Sequence, residues 1–222
     1  MNVEGTACLL NWAQRRGIEN FVFASSSSVY GNTKEVPFAE DAYVGEPISP
    51  YAATKRAGEL LCHTFAHLYD MSIIALRFFT VYGPRQRPDL AIHKFARLLR
   101  DDLAIPMFGD GTTARDYTYI DDIVQGIEGA RRVLAGTDDP LFEVINLGES
   151  RTVTLSTMIE ILADEMGVTP QIETQPMQPG DVRQTFADIS KARRVLGYDP
   201  RWGFREGVRQ FLDWFENAPG PT

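Results

Sequence analysis

The chain has 222 residues, and its 22 lysines and arginines against 30 aspartates and glutamates give a formal charge of −8. This acidic balance argues against general affinity for nucleic acids or anionic membrane surfaces. Hydrophobic residues make up 44% of the chain, which is enough for a buried core and excludes a disordered protein. No apolar run approaches the roughly 18 residues of a membrane span, and the first residues do not show a basic and then apolar pattern, so we expect neither a membrane span nor a leader peptide. With two cysteines, too few for a disulfide framework, we expect a reduced, cytoplasmic protein.

The first half of the chain predicts an alternation of helices and strands. A helix is predicted over residues 1–17 and a short buried strand over 21–24, which a run of serines follows. A long helix is then predicted over 51–69 and a second strand over 72–79. This alternation is typical of α/β folds with a parallel sheet.

The second half continues the alternation in shorter pieces. Strands are predicted over 105–108, 116–120 and 142–147. Helices are predicted over 91–101, 121–134, 155–166, 189–196 and 204–215. Asp121 and Asp122 stand where carboxylates cap a helix N-terminus, so we expect them to cap the helix over 121–134.

A glycine-rich turn between a strand and a helix, the usual cradle for a dinucleotide pyrophosphate, is missing from the sequence. Gly126 and Gly129 fall inside a predicted helix, and Gly109 and Gly111 follow a strand without opening a helix. We therefore predict no complete dinucleotide-binding site within these residues.

Tyr51 and Lys55 are the first candidates for chemistry. Residues at positions i and i+4 share a helix face, so the hydroxyl and the ammonium group point into the same space. A tyrosine with a reference pKa of about 10 is a poor base at neutral pH, but a neighbouring cation favours the phenolate. Taken alone, the spacing fits a surface pair on an amphipathic helix equally well.

A serine run, Ser25 to Ser28, follows the first predicted strand. Hydroxyl groups just past the carboxyl end of a parallel strand lie where α/β sheets bind ligands. A hydroxyl there could bind a substrate alcohol and relay its proton to a tyrosinate. A polar turn without chemical function is the alternative interpretation.

Together these motifs resemble the extended short-chain dehydrogenase/reductases, and among them the NAD-dependent nucleotide-sugar 4-epimerases. The serine run before Val29-Tyr30-Gly31 is similar to the serine motif of that family, and Tyr51 with Lys55 matches its Tyr-x-x-x-Lys pair. Further similar segments are Asn2-Val3-x-Gly5-Thr6, Arg115-Asp116-Tyr117, Gln178-Pro179-Gly180-Asp181 and Leu196-Gly197-Tyr198-x-Pro200. The galactose-type epimerases carry arginine where Gln178 stands.

The resemblance implies a fold, namely the C-terminal part of a Rossmann-type parallel sheet with a small mixed α/β substrate-binding region. Residues 1–83, interleaved with part of 105–150, would be the remaining half of the NAD-binding domain, and 84–222 mainly the nucleotide-sugar-binding region. Three strand–helix units of about 30 residues each, roughly 90 residues with the glycine-rich turn, would then be absent before Met1.

The resemblance also implies site residues. Tyr51, Lys55 and Ser26 would be catalytic. NAD would be contacted by Ser25, Tyr51, Lys55 and Phe78. The sugar nucleotide would be held by Ser26, Ser27, Ser28, Thr80, Arg87, Asp89, Arg115, Gln178 and Asp181. No metal ion is implied, and His63 with His67, four residues apart on one predicted helix, lacks a third ligand.

Thr80 and Arg87 narrow the substrate class. Galactose-type epimerases carry asparagine where Thr80 stands. Thr80 followed by Arg87 instead resembles the UDP-glucuronate 4-epimerases, and this resemblance implies that the two residues hold the sugar carboxylate. An arginine fork offers a carboxylate two parallel, charge-assisted hydrogen bonds. A solvated loop charge or a contact to the diphosphate is the alternative for Arg87. The related dehydratases carry Thr-Asp-Glu where Ser26-Ser27-Ser28 stand, so elimination of water is not expected.

Three interpretations stay open: a UDP-glucuronate 4-epimerase, a truncated non-catalytic protein that binds a sugar nucleotide or dimerises, and another enzyme of the superfamily such as a UDP-glucose 4-epimerase or a UDP-glucuronate decarboxylase. The resemblance further implies a homodimer, in which the helices over 1–17 and 51–69 pair with their copies in a four-helix bundle. We expect the chain by itself neither to bind NAD tightly nor to epimerise a sugar, and to bind UDP weakly.

Overall fold

The structure is a computed structural model that describes residues 1–177 and 182–217. Its helices are α1 (Asn2–Arg15), α2 (Pro50–Tyr69), α3 (Ala91–Arg100), α4 (Ile120–Ala135), α5 (Leu155–Met166), α6 (Ser190–Leu196) and α7 (Phe204–Asn217). Its strands are β1 (Asn20–Ser26), β2 (Ser72–Phe78), β3 (Thr80–Tyr82), β4 (Ile105–Phe108), β5 (Ala114–Arg115), β6 (Tyr117–Tyr119), β7 (Phe142–Leu147), β8 (Val153–Thr154) and β9 (Ile172–Gln175).

The strands β1, β2 and β7 form one parallel sheet in that order. The middle strand β2 is buried along nearly its whole length, as its unbroken apolar sequence predicts. At the carboxyl edge, Ser26 pairs with Phe78, and Phe78 pairs with Leu147. The ends of β1 and β2 therefore meet at the edge of the sheet where ligand sites are expected. The α/β prediction is confirmed.

Apolar clusters cover both faces of this sheet. One cluster joins α1 and α2 to the strands, with Leu10, Phe23 and Phe65 among its buried members. The cluster on the other side joins α4 and α6 to the sheet. A third cluster packs α3, α5 and α7 together beside the short strands β4, β6 and β8. None of the helices in the described ranges combines the length and the apolar character needed to cross a bilayer.

Short elements are where the sequence-based prediction differs from the structure. The strand expected over 116–120 is shorter in the structure, because β6 spans only Tyr117–Tyr119 and α4 already begins at Ile120. The strands β3, β5, β8 and β9 and a 3-10 helix over Ser27–Tyr30 were not predicted, because two to four residues carry no periodicity. The longer elements were predicted with ends within a few residues of those observed.

Candidate active site

The candidate site begins where β1 ends. Ser26 is buried, and its hydroxyl accepts a hydrogen bond from the backbone N–H of Ser28 at 3.2 Å. The same hydroxyl donates to the Ser28 hydroxyl at 3.1 Å. Ser26 thereby caps the 3-10 helix that follows the strand. The two serine hydroxyls are held next to each other at the carboxyl edge of the sheet.

Beside these serines lies a cavity of about 230 Å³. Four of the residues predicted to bind the sugar nucleotide line it, although they come from three distant stretches of sequence: Ser27, Ser28, Thr80 and Arg115. Gly31, Phe38, Ile48, Ser49, Val182 and Thr185 complete the lining. Among the described residues, the structure brings together this part of the predicted site.

Tyr51 and Lys55 lie in the first two turns of α2. The N-terminus of α2 is well capped. The Ser49 hydroxyl accepts a hydrogen bond from the Ala52 N–H at 3.1 Å, and Pro50 occupies the first helical position. The Lys55 ammonium is 5.7 Å from the centre of the Tyr51 ring and donates to the backbone carbonyl of Ala24 at 2.8 Å. The predicted pair thus shares one face, and Lys55 ties that face to the end of β1. Tyr51 is 49% exposed.

Arg87 and Asp89 lie in the loop between β3 and α3. Arg87 Nη2 is 3.1 Å from Asp89 Oδ2, and the two side chains are 73% and 68% exposed. Neither residue lines the 230 Å³ cavity, so the structure does not bring Arg87 into contact with Thr80. Gln178 and Asp181 lie outside the described residues.

A buried ion pair behind the site was not predicted. Glu59 and Arg77 are 1% and 2% exposed, and they form two parallel bonds, Nε to Oε1 at 2.9 Å and Nη2 to Oε2 at 3.0 Å. The Ser25 hydroxyl donates to Glu59 Oε1 at 2.6 Å. Burial opposes ionisation of Glu59, but the Arg77 hydrogen bonds and charge outweigh it, so its pKa is lowered. Glu59 is therefore an ionised carboxylate that joins α2 to β1 and β2.

The buried pair continues into a polar network under the cavity. The Arg77 guanidinium lies 4.8 Å from the centre of the Tyr30 ring, and the Tyr30 hydroxyl donates to Asn146 Oδ1 at 2.7 Å. Asn146 Nδ2 donates in turn to the carbonyl of Phe38 at 2.8 Å. Burial raises the pKa of Tyr30 to about 12. The network links the end of β2 to the end of β7, and Phe38 itself lines the cavity.

The sequence profile of the family described as GDP-mannose 4,6 dehydratase matches residues 1–211. The chain belongs to this family. The extended short-chain dehydrogenase/reductase resemblance is thereby confirmed at family level.

Several relatives are similar to this chain over nearly its whole length. A UDP-glucuronate 4-epimerase of Thermodesulfobacterium geofontis is 41% identical over 96% of this chain and 64% of its own length. An uncharacterised protein of Methanocaldococcus jannaschii is 44% identical over the same shares. The crystal structure of UDP-glucuronic acid 4-epimerase from Bacillus cereus, in complex with UDP-glucuronic acid and NAD, has a TM-score of 0.90 at 36% identity and covers 98% of this chain and 68% of that one. The chain thus spans about two thirds of the length of these relatives.

In this epimerase-family chain, Asp116 organises the wall next to Arg115. Its buried carboxylate accepts the backbone N–H groups of Glu149 at 2.7 Å, Ser150 at 3.1 Å and Ala187 at 3.1 Å. Burial raises the pKa of Asp116 to about 6. This one side chain holds the loop after β7 against the segment that carries the cavity residue Thr185.

The residues predicted to contact NAD lie close to one edge of the sheet. Phe78 is the last residue of β2, and Lys55 is bonded to Ala24 near the end of β1. Ser25 directs its hydroxyl at Glu59, so any contact between Ser25 and NAD would come from its backbone. None of the described strands runs through a glycine-rich turn into a helix. The described residues therefore offer no cradle for the pyrophosphate.

Two further predictions concern residues outside this cluster. Among the described side chains none caps α4; Asp122 instead accepts the N–H groups of Arg201 at 3.0 Å and Trp202 at 3.1 Å. The predicted cap is thus wrong, because the segment before α7 competes for this carboxylate. His63 packs edge-on against the Phe142 ring at 5.1 Å. Over residues 1–177 and 182–217, no three potential ligands gather as a metal site would require.

Proposed function

We propose that the protein catalyses the NAD-dependent 4-epimerisation of a UDP-sugar, and that it interconverts UDP-glucuronate and UDP-galacturonate. One observation carries the proposal: Tyr51 and Lys55 share a face of α2, and Lys55 is bonded to Ala24, two residues before Ser26. The epimerase relatives support it, since the sugar nucleotide and NAD are bound together in the Bacillus cereus enzyme. The activity is proposed for the whole protein to which this chain corresponds.

Tyr51 is the proposed base. Next to the Lys55 ammonium, Tyr51 takes the proton of the sugar 4′-hydroxyl, directly or through the hydroxyl of Ser26. Bound NAD+ would supply the redox chemistry by taking the hydride of C4′ and returning it to the opposite face of the 4-keto sugar. Tyr51 then gives its proton back to O4′, so the reaction leaves the number of protons unchanged.

The carboxylate of the sugar is the proposed reason for the preference for UDP-glucuronate. Thr80 lines the cavity, and Arg87 follows it by seven residues on the adjacent loop. Arg87 is held by Asp89 in a single exposed ion pair, which is worth no more than about 1 kcal/mol. A sugar carboxylate that reaches Arg87 could therefore replace Asp89 at little cost. Arg115, with Gln178 and Asp181, is proposed for the diphosphate.

Two properties of the whole protein are also proposed. The protein forms a homodimer through α1 and α2, because both helices carry exposed apolar side chains, among them Leu9, Trp12, Leu60 and Leu68. Its compartment is the cytoplasm, because Cys8 and Cys62 are both unpaired thiols and reducing conditions keep them so.

The product formed from UDP-glucuronate tests the proposed function. The chain, and a chimaera in which the segment expected before Met1 is taken from the Thermodesulfobacterium geofontis relative, are incubated with NAD and either UDP-glucuronate or UDP-glucose. We expect UDP-galacturonate from the chimaera alone. UDP-xylose with carbon dioxide would show a decarboxylase, and UDP-galactose formed only from UDP-glucose would show a galactose-type epimerase. Either result would contradict the proposed substrate.

A further inference from the structure

The loop between β3 and α3 starts with a turn that its sequence does not favour. The N–H of Gln86 donates to the carbonyl of Gly83 at 3.2 Å, with Pro84 and Arg85 in the middle of the turn. Arg85 has a φ of +66°, in the left-handed region that glycine or asparagine normally occupies in such a turn. Contacts elsewhere in the loop must therefore stabilise this backbone conformation.

Gln86 makes those contacts with both ends of its side-chain amide. Its Nε2 donates to the carbonyl of Val81 in β3 at 3.3 Å, and its Oε1 accepts the backbone N–H of His93 at 3.2 Å. His93 is the third residue of α3, so its N–H is one of the donors that a helix leaves without an internal partner. The N-cap residue of α3 is Leu90, and its side chain makes no capping hydrogen bond. Gln86, which lies in the preceding loop, therefore caps α3 instead.

His93 returns a second bond to the same residue. Its Nδ1 lies 2.7 Å from the backbone carbonyl of Gln86. Because a carbonyl oxygen only accepts, Nδ1 carries the proton. The imidazole ring is enclosed by three aromatic rings of α7, those of Phe211, Trp214 and Phe215, at 5.4 to 5.8 Å between ring centres. The orientation of His93 is therefore determined by core packing rather than by the loop.

Arg87 follows directly after this anchored residue. Its own carbonyl accepts the N–H of Leu90 at 3.2 Å, so its backbone is held on both sides. The guanidinium itself is exposed and touches Asp89. The loop thus combines a hydrogen-bonded backbone at Gln86 with an exposed charge at the next residue.

We propose that Gln86 and His93 are positioning residues that hold Arg87 where it can bind the carboxylate of the sugar, and that they thereby determine selectivity for acidic over neutral UDP-sugars. This inference rests on the carboxylate role proposed for Arg87 above. A loop that is ordered before binding loses less conformational freedom when the ligand arrives. If the anchor is removed, only a fraction of molecules has Arg87 in place, and the apparent affinity falls by that fraction.

Binding selectivity tests the inference without requiring turnover. The dissociation constants of UDP-glucuronate and UDP-glucose are measured by calorimetry on the 222-residue chain and on its Gln86→Ala, Gln86→Met and His93→Ala variants. Gln86→Met keeps the length and packing of the side chain if the alanine variant unfolds. The preference is the dissociation constant of UDP-glucose divided by that of UDP-glucuronate. We expect this ratio to fall about three- to tenfold in each variant. His93→Asn, which keeps a donor near the position of Nδ1, should retain most of it.

Gln125 provides the matched control. Its amide holds the backbone of Asp199 in the same two-sided way, with bonds of 3.2 and 2.7 Å, in another part of the molecule. Gln125→Ala should leave the preference unchanged. The double variant Gln86→Ala/Arg87→Ala should be as selective as Arg87→Ala alone, because both substitutions act on the same contact between Arg87 and the sugar carboxylate.

The outcomes separate this inference from the function on which it rests. If Arg87→Ala loses the preference while the Gln86 and His93 variants keep it, the positioning role is wrong and the carboxylate role stands. If the Gln86 variants lose the same affinity for both ligands, Gln86 supports the loop without determining selectivity, which also overturns the inference. If the unmodified chain shows no preference, or Arg87→Ala keeps it, the carboxylate role and the positioning role are both wrong.

Discussion

Among single residues, Tyr51 has the most direct expected effect. Tyr51→Phe removes the hydroxyl that would take the sugar proton and leaves the half-exposed ring in place. In a protein that epimerises, we expect the rate to fall by roughly 10²- to 10⁴-fold, the range for loss of a general base, with an unchanged circular dichroism spectrum. The measurement is the initial rate of UDP-galacturonate formation. A variant that keeps more than about a tenth of the rate would show that another group is the base.

Glu149 is a residue whose ionisation opposes folding. It is 8% exposed, and its Oε2 has no hydrogen-bond partner in the part of the chain that the structure describes. Burial, followed by the charge of Asp122, raises its pKa to about 7. Because an unfolded glutamate has a pKa of about 4.3, the folded state binds more protons between these two values. The stability contributed by protonated Glu149 is therefore complete below about pH 4 and is lost as the pH rises through 7.

This linkage predicts the behaviour of Glu149→Gln. The unmodified protein should lose on the order of 1–3 kcal/mol of unfolding free energy between pH 5 and pH 8, and the glutamine variant should lose clearly less. Asp116, whose pKa is raised to about 6, is unchanged in the variant, so part of the slope should remain below pH 6. Urea unfolding at several pH values measures both slopes. Parallel curves for the two proteins would contradict the prediction.

At the scale of secondary-structure elements, the Glu59–Arg77 pair fixes α2 against β1 and β2. Glu59→Gln leaves Arg77 as a buried charge without its counter-ion, which should cost about 3–5 kcal/mol. Arg56 offers a matched control, because it contacts the same carboxylate from a more exposed position; Arg56→Ala should cost no more than about 1 kcal/mol. Urea unfolding gives both values. Equal losses would mean that the buried pair is no more important than the peripheral one.

The same elements show what sequence could predict and what it could not. The helices α1 and α2 and the strand β2 carry enough regular apolar residues to be recognised, and Tyr51 with Lys55 follows from helical spacing alone. Glu59 follows Lys55 by four residues, so helical spacing also predicts that Glu59 lies on this face of α2. Its burial depends on Arg77, 18 residues away in sequence, and no local pattern identifies that partner. The Asp122 prediction failed for the same reason, since its donors are at residues 201 and 202.

At the scale of the whole molecule, dimerisation is the first prediction. Static light scattering at micromolar concentration should give about twice the 24.9 kDa mass of one chain, because α1 and α2 expose apolar side chains along adjacent surfaces. Trp12→Glu should shift the protein towards the monomer. Tyr43→Glu introduces the same charge at an exposed aromatic residue outside these helices and should not. A monomeric unmodified chain would contradict the four-helix bundle.

The second prediction at this scale concerns the two ligands. The cavity lined by Thr80 and Arg115 is present, whereas Tyr51, Lys55 and Phe78, which are proposed for NAD, would contact only its nicotinamide end. We therefore expect calorimetric titration of the chain to detect UDP and to detect no NAD binding at micromolar concentration. Most of a dinucleotide's affinity comes from its pyrophosphate at a glycine turn and helix N-terminus. A micromolar NAD complex would reveal a cofactor site that this structure does not suggest.

The bonds of Asn146 determine when the site can form during synthesis. The Asn146 amide donates to the carbonyls of Phe38 and Asp188, residues that leave the ribosome far apart in time. Contacts across such long sequence separations form slowly, because a large loop must close first. The serine end of β1 is made within the first 30 residues, yet its polar support is complete only after Asp188 has been added. A nascent chain that stops before this residue would contain the whole of α2 but only one of the two carbonyl partners of the Asn146 amide.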